Sequence, residues 1–141
     1  MSGYSTQLKI DKHDAIIDLL SMSTSFSRSV DEKGRPSSHV MGGQLNCNAL
    51  ITKDTYLLQQ MVNNDDVLLK GTITMIDSGS SKKVHRIFKF KNAFIVNYSE
   101  SFSVQGQSYS CSFTITAALV IVGDEATLVQ RWPGLETDDK F

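Results

Sequence analysis

Between Ser108 and Val122 the apolar and polar positions alternate with a period of two. Tyr109, Cys111, Phe113, Ile115, Ala117, Leu119 and Ile121 occupy one phase. Ser108, Ser110, Ser112, Thr114 and Thr116 occupy the other, until Ala118, Val120 and Val122 replace the hydroxyls. Successive side chains of a strand point to opposite faces, so the pattern predicts a long strand with one apolar face and one face of small hydroxyls. A helix would smear the same apolar residues around its circumference and is excluded. From Ala118 both phases are apolar, so the last third of the strand is expected to be covered on two sides.

The rest of the chain continues the alternation. Tyr4, Thr6, Leu8 and Ile10 predict a first half-buried strand, turned at Asp11–Asp14. From Ile16 the even positions Ile16, Leu20, Met22, Phe26 and Val30 carry the apolar phase of a second long strand, while Ser21, Ser23, Ser25, Ser27 and Ser29 form an unbroken serine stripe. Asp31 to Ser38 reads as an ordered, reaching loop in which Pro36 holds Arg35 extended. A third strand follows from His39 to Thr52, with Met41, Leu45, Cys47, Ala49 and Ile51 opposite Gln44, Asn46 and Asn48, and with Gly42 and Gly43 marking a bulge or a close backbone approach.

The period then changes. Capping residues at Thr52–Thr55 precede Leu57, Leu58, Met61 and Val62, which predict one short amphipathic helix stopping in Asn63–Asp66. Strands are predicted over Leu68–Asp77, Val84–Lys91 and Asn92–Val104, the last placing Phe94, Val96, Tyr98 and Phe102 together, and Gly106 hairpins into the long strand. With no βαβ rhythm, about seven strands and one helix predict a mainly β fold, an antiparallel barrel or sandwich with a helix plugging or flanking it. Residues 1–123 form this domain. Residues 124–141, polar and acidic around Leu128, Val129, Trp132 and Leu135, are expected to be a tail that is weakly ordered or ordered by a partner.

At 141 residues the chain is one domain by length, and a compact chain of this size buries roughly two-thirds of its extended surface. A net charge of −1 argues against bulk nucleic-acid or membrane electrostatics. The first ten residues carry no basic region followed by an apolar run, so neither a signal peptide nor direct membrane insertion is expected. Cys47 and Cys111 both fall on apolar phases and read as buried thiols.

No catalytic or metal constellation emerges from the pattern. His13, His39 and His85 lie in a turn, a loop end and a basic strand without ligand spacing, and no cofactor is expected. Gly79 to Lys83 looks like a phosphate-gripping loop but leads into a strand rather than a helix. Lys82, Lys83, Arg86, Lys89 and Lys91, interleaved with Phe88 and Phe90, raise a single-strand nucleic-acid platform, but the two rings share the phase of Val84 while most cations sit opposite. Nucleic acid is therefore not an expected partner. More informative is an absence: the two hydroxyl stripes carry no charge, whereas outer sheet faces normally mix in Lys and Glu. Such a surface is suited to the wall of a passage, with Ser21, Ser23, Ser25, Ser27, Ser110, Ser112 and Thr114 as the facing positions.

The run from Asp31 through Gly34-Arg35-Pro36-Ser37-Ser38, the Gly42-Gly43 pair, the helix Leu57–Met61 and the segment Ala93–Phe102 leading into Phe113–Ala117 together resemble the tube protein of type VI secretion, the haemolysin-coregulated protein (Hcp, or TssD), in its Bacteroidetes form. The resemblance implies a tail-tube-like antiparallel β-barrel of two packed sheets with one short flanking α-helix, assembled into hexameric rings. The rings would stack into a hollow tube, propelled by a contractile sheath, carrying effector proteins in its lumen and a spike protein at its tip. It further implies assembly in the cytoplasm and export through the apparatus without a signal peptide. By the same resemblance Gly34, Arg35, Pro36, Ser37, Ser38, His39, Gly42 and Gly43 belong to a loop that contacts neighbouring subunits and the next ring. A tube from an extracellular contractile injection particle or phage-like tail is the near alternative, and a monomeric barrel binding nucleic acid or a small ligand is the distant one. The tail from Asp124 is longer than the family usually needs.

Overall fold

The structure is a computed structural model that describes residues 4–63, 68–77, 83–130, 132–133, 135 and 137–141. In chain order it contains β1 (Tyr4–Ile10), β2 (Ile17–Thr24), β3 (Gln44–Leu50), α1 (Tyr56–Val62), β4 (Leu69–Asp77), β5 (Val84–Ser103), β6 (Ser108–Val122) and β7 (Ala126–Val129). The strands pair in the order β3-β2-β1-β4-β5-β6-β7, all antiparallel, and β3 also pairs with β6. That last pairing closes β1 to β6 into a barrel and leaves β7 as an additional strand on the far half of β6.

The interior is apolar throughout. Leu8, Ile10, Leu45, Ile73, Phe90, Phe113 and Ile115 are fully buried, and no polar or charged residue among those described is buried with them. Each such side chain contributes about 1.5–3 kcal/mol relative to an exposed one. Leu57 of α1 is buried against this core, with Tyr56 and Met61 partly so, while Val62, expected on the same face, is exposed. The α1 N-terminus is held by the Asp54 carboxylate, which accepts the Tyr56 N–H at 3.0 Å.

Three expectations are corrected, two of them by bulges. In β2, Leu19 faces Ala49 and Ser21 faces Asn48, so Leu20 is an extra residue and is 59% exposed. Leu19 is the buried residue instead, and the even apolar phase expected from Ile16 does not run through. β2 ends at Thr24, and residues 25–43 leave the barrel as an arm. The two strands expected over Val84–Lys91 and Asn92–Val104 are one strand, β5, which bends rather than breaks. It carries extra residues at His85, at Lys91–Asn92 and at Val96, and Asn92 adopts φ +53°. Bulges bend a strand and increase its twist, which is what lets one long strand serve two walls of a barrel. Phe94, Val96, Tyr98 and Phe102 therefore do not share a face. Ala93 and Ile95 point inward, Tyr98 packs on the core, Val96 is exposed, and Phe102 pairs edge-on with Tyr109 at the hairpin.

The third correction concerns the chain after Gly123. Its β7 residues pair with Leu119–Val122, Gln130 N–H donates to Ala118 O at 2.6 Å, and Ala118, Leu119 and Val120 are buried as the doubly apolar end of β6 requires. This segment is ordered by its own barrel. The count of seven strands among the described residues thus arises from a fused β5 and an added β7.

Gly71 is required by close approach. A Cβ there would lie 2.6 Å from Lys9 O and 2.7 Å from Phe90 Cζ, so the tip of the ring lies against the glycine. Gly71→Ala is expected to cost about 1–3 kcal/mol through overpacking; an unchanged urea midpoint would show that Phe90 is free to move aside. The thiols are free and buried, and burial followed by the neighbouring Cys111 pushes Cys47 up to about 12 from an ordinary 9.0. Because the folded state holds this proton more tightly than the unfolded state, its stabilisation is present below pH 9 and is lost as pH rises toward 12. Cys47 should accordingly resist a thiol reagent at pH 8 until the protein is unfolded, and prompt labelling of native protein would contradict this burial.

Candidate functional site

The hydroxyl stripe of β6 is the centre of a wider uncharged surface. Register places Ser21, Asn48, Ser112 and Ser99 in one line across β2, β3, β6 and β5, and Ser23, Asn46, Thr114 and Asn97 in the next. Side-chain hydrogen bonds join the β2, β3 and β6 positions of the first line and the β3 and β6 positions of the second. Asn48 Nδ2 donates to Ser21 Oγ at 2.6 Å, Asn48 Oδ1 accepts from Ser112, and Thr114 Oγ1 donates to Asn46 Oδ1 at 2.9 Å. Ser110 extends the face, opposite Leu50 on β3 and Ser101 on β5. Five of the seven facing positions inferred from sequence meet here: Ser21, Ser23, Ser110, Ser112 and Thr114. Ser25 and Ser27 lie beyond the end of β2, in the arm, where Ser27 bridges Met41.

Two bulges make this face. Ile17 and Leu19 point into the barrel, and without the extra Leu20 the alternation would carry Ser21 and Ser23 inward too. On β5, Ala93 and Ile95 point inward, and the extra Val96 turns Asn97 and Ser99 outward beside Thr114 and Ser112. A one-residue shift moves every following side chain to the other face.

The arm holds all eight residues expected to make contacts. It is closed by its own hydrogen bonds: Asp31 Oδ1 accepts the N–H groups of Lys33 and Arg35 at 2.9 Å each, Asp31 N–H donates to Arg35 O, and Ser37 N–H donates to Ser29 O at 2.7 Å. Ser38 Oγ accepts from Ser29 N–H and donates to His39 O. Val30 bridges Pro36. At the base, a Cβ on Gly42 would stand 2.6 Å from Ser25 O, so the two sides of the arm approach as closely as backbones allow. Phe26, Val30 and Met41 are exposed along it, a concentration of apolar side chains on a structured projection that the barrel does not cover.

At the α1 end of the barrel several titratable groups are engaged with each other. A cavity of about 220 Å³ at the α1 end is lined by Ile17, Ala49, Leu57, Tyr98, Glu100 and Cys111, with Asp18 and Asp54 alongside. Tyr98 O–H donates to Glu100 at 2.9 Å, and burial, reinforced by that carboxylate, pushes the phenol up. Asp54 lies 2.7 Å from His13 Nε2, and His13 stacks on Tyr56 at 4.0 Å. Forty-one residues separate His13 from Asp54, so no local spacing announced the pair. Among the described residues no group of three or more His, Cys, Asp or Glu could hold a metal ion. Phe88 and Phe90 lie in the core and form no stacking platform. Residues 78–82, with Lys82 and most of the Gly79–Lys83 turn, fall outside the described residues.

The family profile described as Hemolysin coregulated protein Hcp (TssD) matches residues 2–133. The chain belongs to this family. The fold agrees. Hcp1 from Flavobacterium johnsoniae superposes with a TM-score of 0.80 at 24% identity, covering 89% of this chain and 99% of that one. Hcp1 from Salmonella typhimurium gives 0.63 at 16% identity over 84% and 85% of the two chains. A chain of the anti-feeding prophage baseplate gives 0.52 at 12% identity over 87% and 94%. No curated protein sequence matches this chain at significant similarity. Within this Hcp-family barrel, deleting Val96 should turn Asn97 and Ser99 inward. Each buried amide or hydroxyl without a partner costs about 1–3 kcal/mol, whereas Val96→Ala at the same exposed site should stay within about 0.5 kcal/mol. Comparing the two by denaturant unfolding checks the bulge, and equal losses would refute it.

Proposed function

We propose that this chain is the structural subunit of a type VI secretion tube, forming hexameric rings that stack into a hollow conduit. The observation that carries the reading is the uncharged surface four strands wide, on which serine, threonine and asparagine side chains bond to one another. A lumen wall of this kind is hydrated and holds no fixed charge, so it passes or shelters cargo of varied sequence without trapping it by ionic contact. The exposed arm supplies the second requirement, a structured projection whose Phe26, Val30 and Met41 need a partner to leave water. Closed rings join subunits through surfaces that a free barrel leaves open. In this reading Arg35, Ser37, Ser38 and His39 contact neighbouring subunits and the next ring, and Ser25 and Ser27 pass from the lumen wall to the arm. The sheath surrounds the tube, a spike protein caps it, effectors occupy the lumen, and the subunit is made in the cytoplasm and leaves through the apparatus.

The likeness to the anti-feeding prophage chain favours a second reading, the tube of an extracellular contractile injection particle. The two separate on whether the protein leaves cells singly or only within intact particles.

Light scattering on the purified protein should give a native mass near six times 15.6 kDa, with ring-shaped end views in negative stain. A chain that stays monomeric on concentration would remove the tube. Arg35→Glu should leave the melting curve unchanged and shorten the stacks, and tubes of normal length would count against the arm as the stacking element.

A further inference from the structure

The basic strand considered at the sequence level is covered in the structure by the chain's own final residues. Lys89, Lys91 and Asn92 of β5 and Lys70 of β4 lie together, since Gly71 pairs with Phe90 and Leu69 with Ala93 across the bulge. Over them runs the segment that follows β7. Trp132 meets Phe94 with ring centroids 5.9 Å apart, Asn92 Nδ2 donates to Thr137 Oγ1 at 3.0 Å, and Lys91 Nζ reaches both Asp138 Oδ1 at 3.2 Å and Lys140 O at 3.0 Å. The Phe141 ring lies under two ammonium groups, 4.4 Å from Lys70 Nζ and 5.7 Å from Lys89 Nζ. Asp138 also accepts the Lys140 N–H, and this bond, with Lys91, holds its carboxyl below the ordinary range.

Three features separate this strap from the barrel. Beyond Gln130 its described residues add no strand to the sheet; Trp132, Thr137, Asp138 and Phe141 meet β4 and β5 through side chains, and Lys140 adds a carbonyl. Those contacts are at the surface, where ion pairs and cation–π contacts are individually weak, with the Asp138 side chain 62% exposed. Residues 135–141 also lie past the family match, which ends at 133. The strip of three lysines, an asparagine and a phenylalanine is therefore built by the barrel, and the strap is a tethered ligand laid on it.

We propose that this strip on β4 and β5 is a docking site for an acidic peptide segment bearing aromatic residues on a partner protein, and that the chain's own Trp132, Thr137, Asp138 and Phe141 occupy it in cis as a competitor. The strap displays the chemistry the site selects: a carboxylate for Lys91, a ring for the Lys70 and Lys89 ammonium groups, and a second ring for Phe94. A tether makes the competitor effective although each contact is weak, because its local concentration is high. A partner segment with the same groups displaces it when held close by other contacts or when present in large excess, so at ordinary concentrations the strap delays docking until the partner is already assembled alongside.

The test uses the full chain with the strap loosened by Asp138→Lys and Phe141→Ala, which leaves the strip intact. A fluorescein-labelled synthetic peptide of residues 132–141, with phenylalanine in place of its tryptophan, is the probe. By anisotropy it should bind the loosened chain at least tenfold more tightly than the unaltered chain, and Lys91→Glu added to the loosened chain should abolish the gain. Equal binding to the loosened and unaltered chains, or a gain that survives Lys91→Glu, would overturn the proposal. Trp132 is the only tryptophan, so an unlabelled form of the peptide can also be added in excess to unaltered protein. The expected result is a red shift of Trp132 emission as the strap leaves Phe94, and no shift at saturating peptide would equally overturn it.

Discussion

Everything in this molecule depends on one pairing, the seven-residue antiparallel ladder from Gln44–Leu50 of β3 to Thr116–Ser110 of β6. It joins strands more than sixty residues apart in the chain and turns an open sheet into a barrel. Without it β3 and the middle of β6 would each expose a row of unpaired backbone groups, a template for adventitious strand addition. With it, the inward residues Leu45, Cys47, Ala49, Cys111, Phe113 and Ile115 meet in one core. The outward residues Asn46, Asn48, Ser112 and Thr114 are brought within hydrogen-bond reach by the same register. One ladder therefore sets both the stability of the barrel and the chemistry of its candidate lumen wall. The wall inherits its order from the core, because the two faces of a strand cannot be shifted independently.

What was legible in the sequence was whatever depends on local alternation. The long β6 strand, its apolar and hydroxyl faces and its doubly covered end could be read directly, as could the short helix and the antiparallel class. Extra residues were not legible. Leu20, His85 and Val96 are ordinary strand formers, and a bulge leaves no composition signature when the inserted residue suits a strand. Each one silently reverses the phase, so unbroken alternation puts Leu20 on the apolar face and gathers Phe94, Val96, Tyr98 and Phe102 on a face they do not share. The break expected between Lys91 and Asn92 is absent because asparagine tolerates positive φ, and here that conformation bends a continuous strand. The tail was misjudged for a different reason. Its polarity suggested disorder, but its partners are Phe94, Lys91 and Asn92 on β5, and such distant complementarity has no period.

The candidate site was half legible on the same grounds. An uncharged stripe is visible as an absence along a single strand, and the arm announces itself through glycine, proline and a loss of apolar phase. The width of the uncharged face was not visible, because Asn97 and Ser99 fall in the phase of Ile95 until Val96 intervenes. Nor could the sequence show that Asp31 ties the arm into a hairpin, since its side chain bonds to backbone groups two and four residues away whose orientation only the fold determines.

The two outer strands of the uncharged face reach it by the same device. β2 and β5 are each apolar and inward at one end, through Ile17 and Leu19 in one and Ala93 and Ile95 in the other. Each then inserts a single exposed aliphatic residue, after which serine or asparagine faces outward while Met22 and Tyr98 take over the core positions. The bulges thus sit on both flanks of the β3–β6 ladder, where each bends its strand. Curvature and chemistry are linked by geometry: a strand that bends at a bulge also reverses its faces, so the polar rungs begin where the wall turns. β5 carries the consequence furthest, since its bulges at Lys91–Asn92 and Val96 divide it into a lysine-bearing half covered by the strap and a serine- and asparagine-bearing half bonded into the uncharged face. A single strand can present two unlike surfaces only if its alternation is broken, and in this barrel the breaks coincide with the bends.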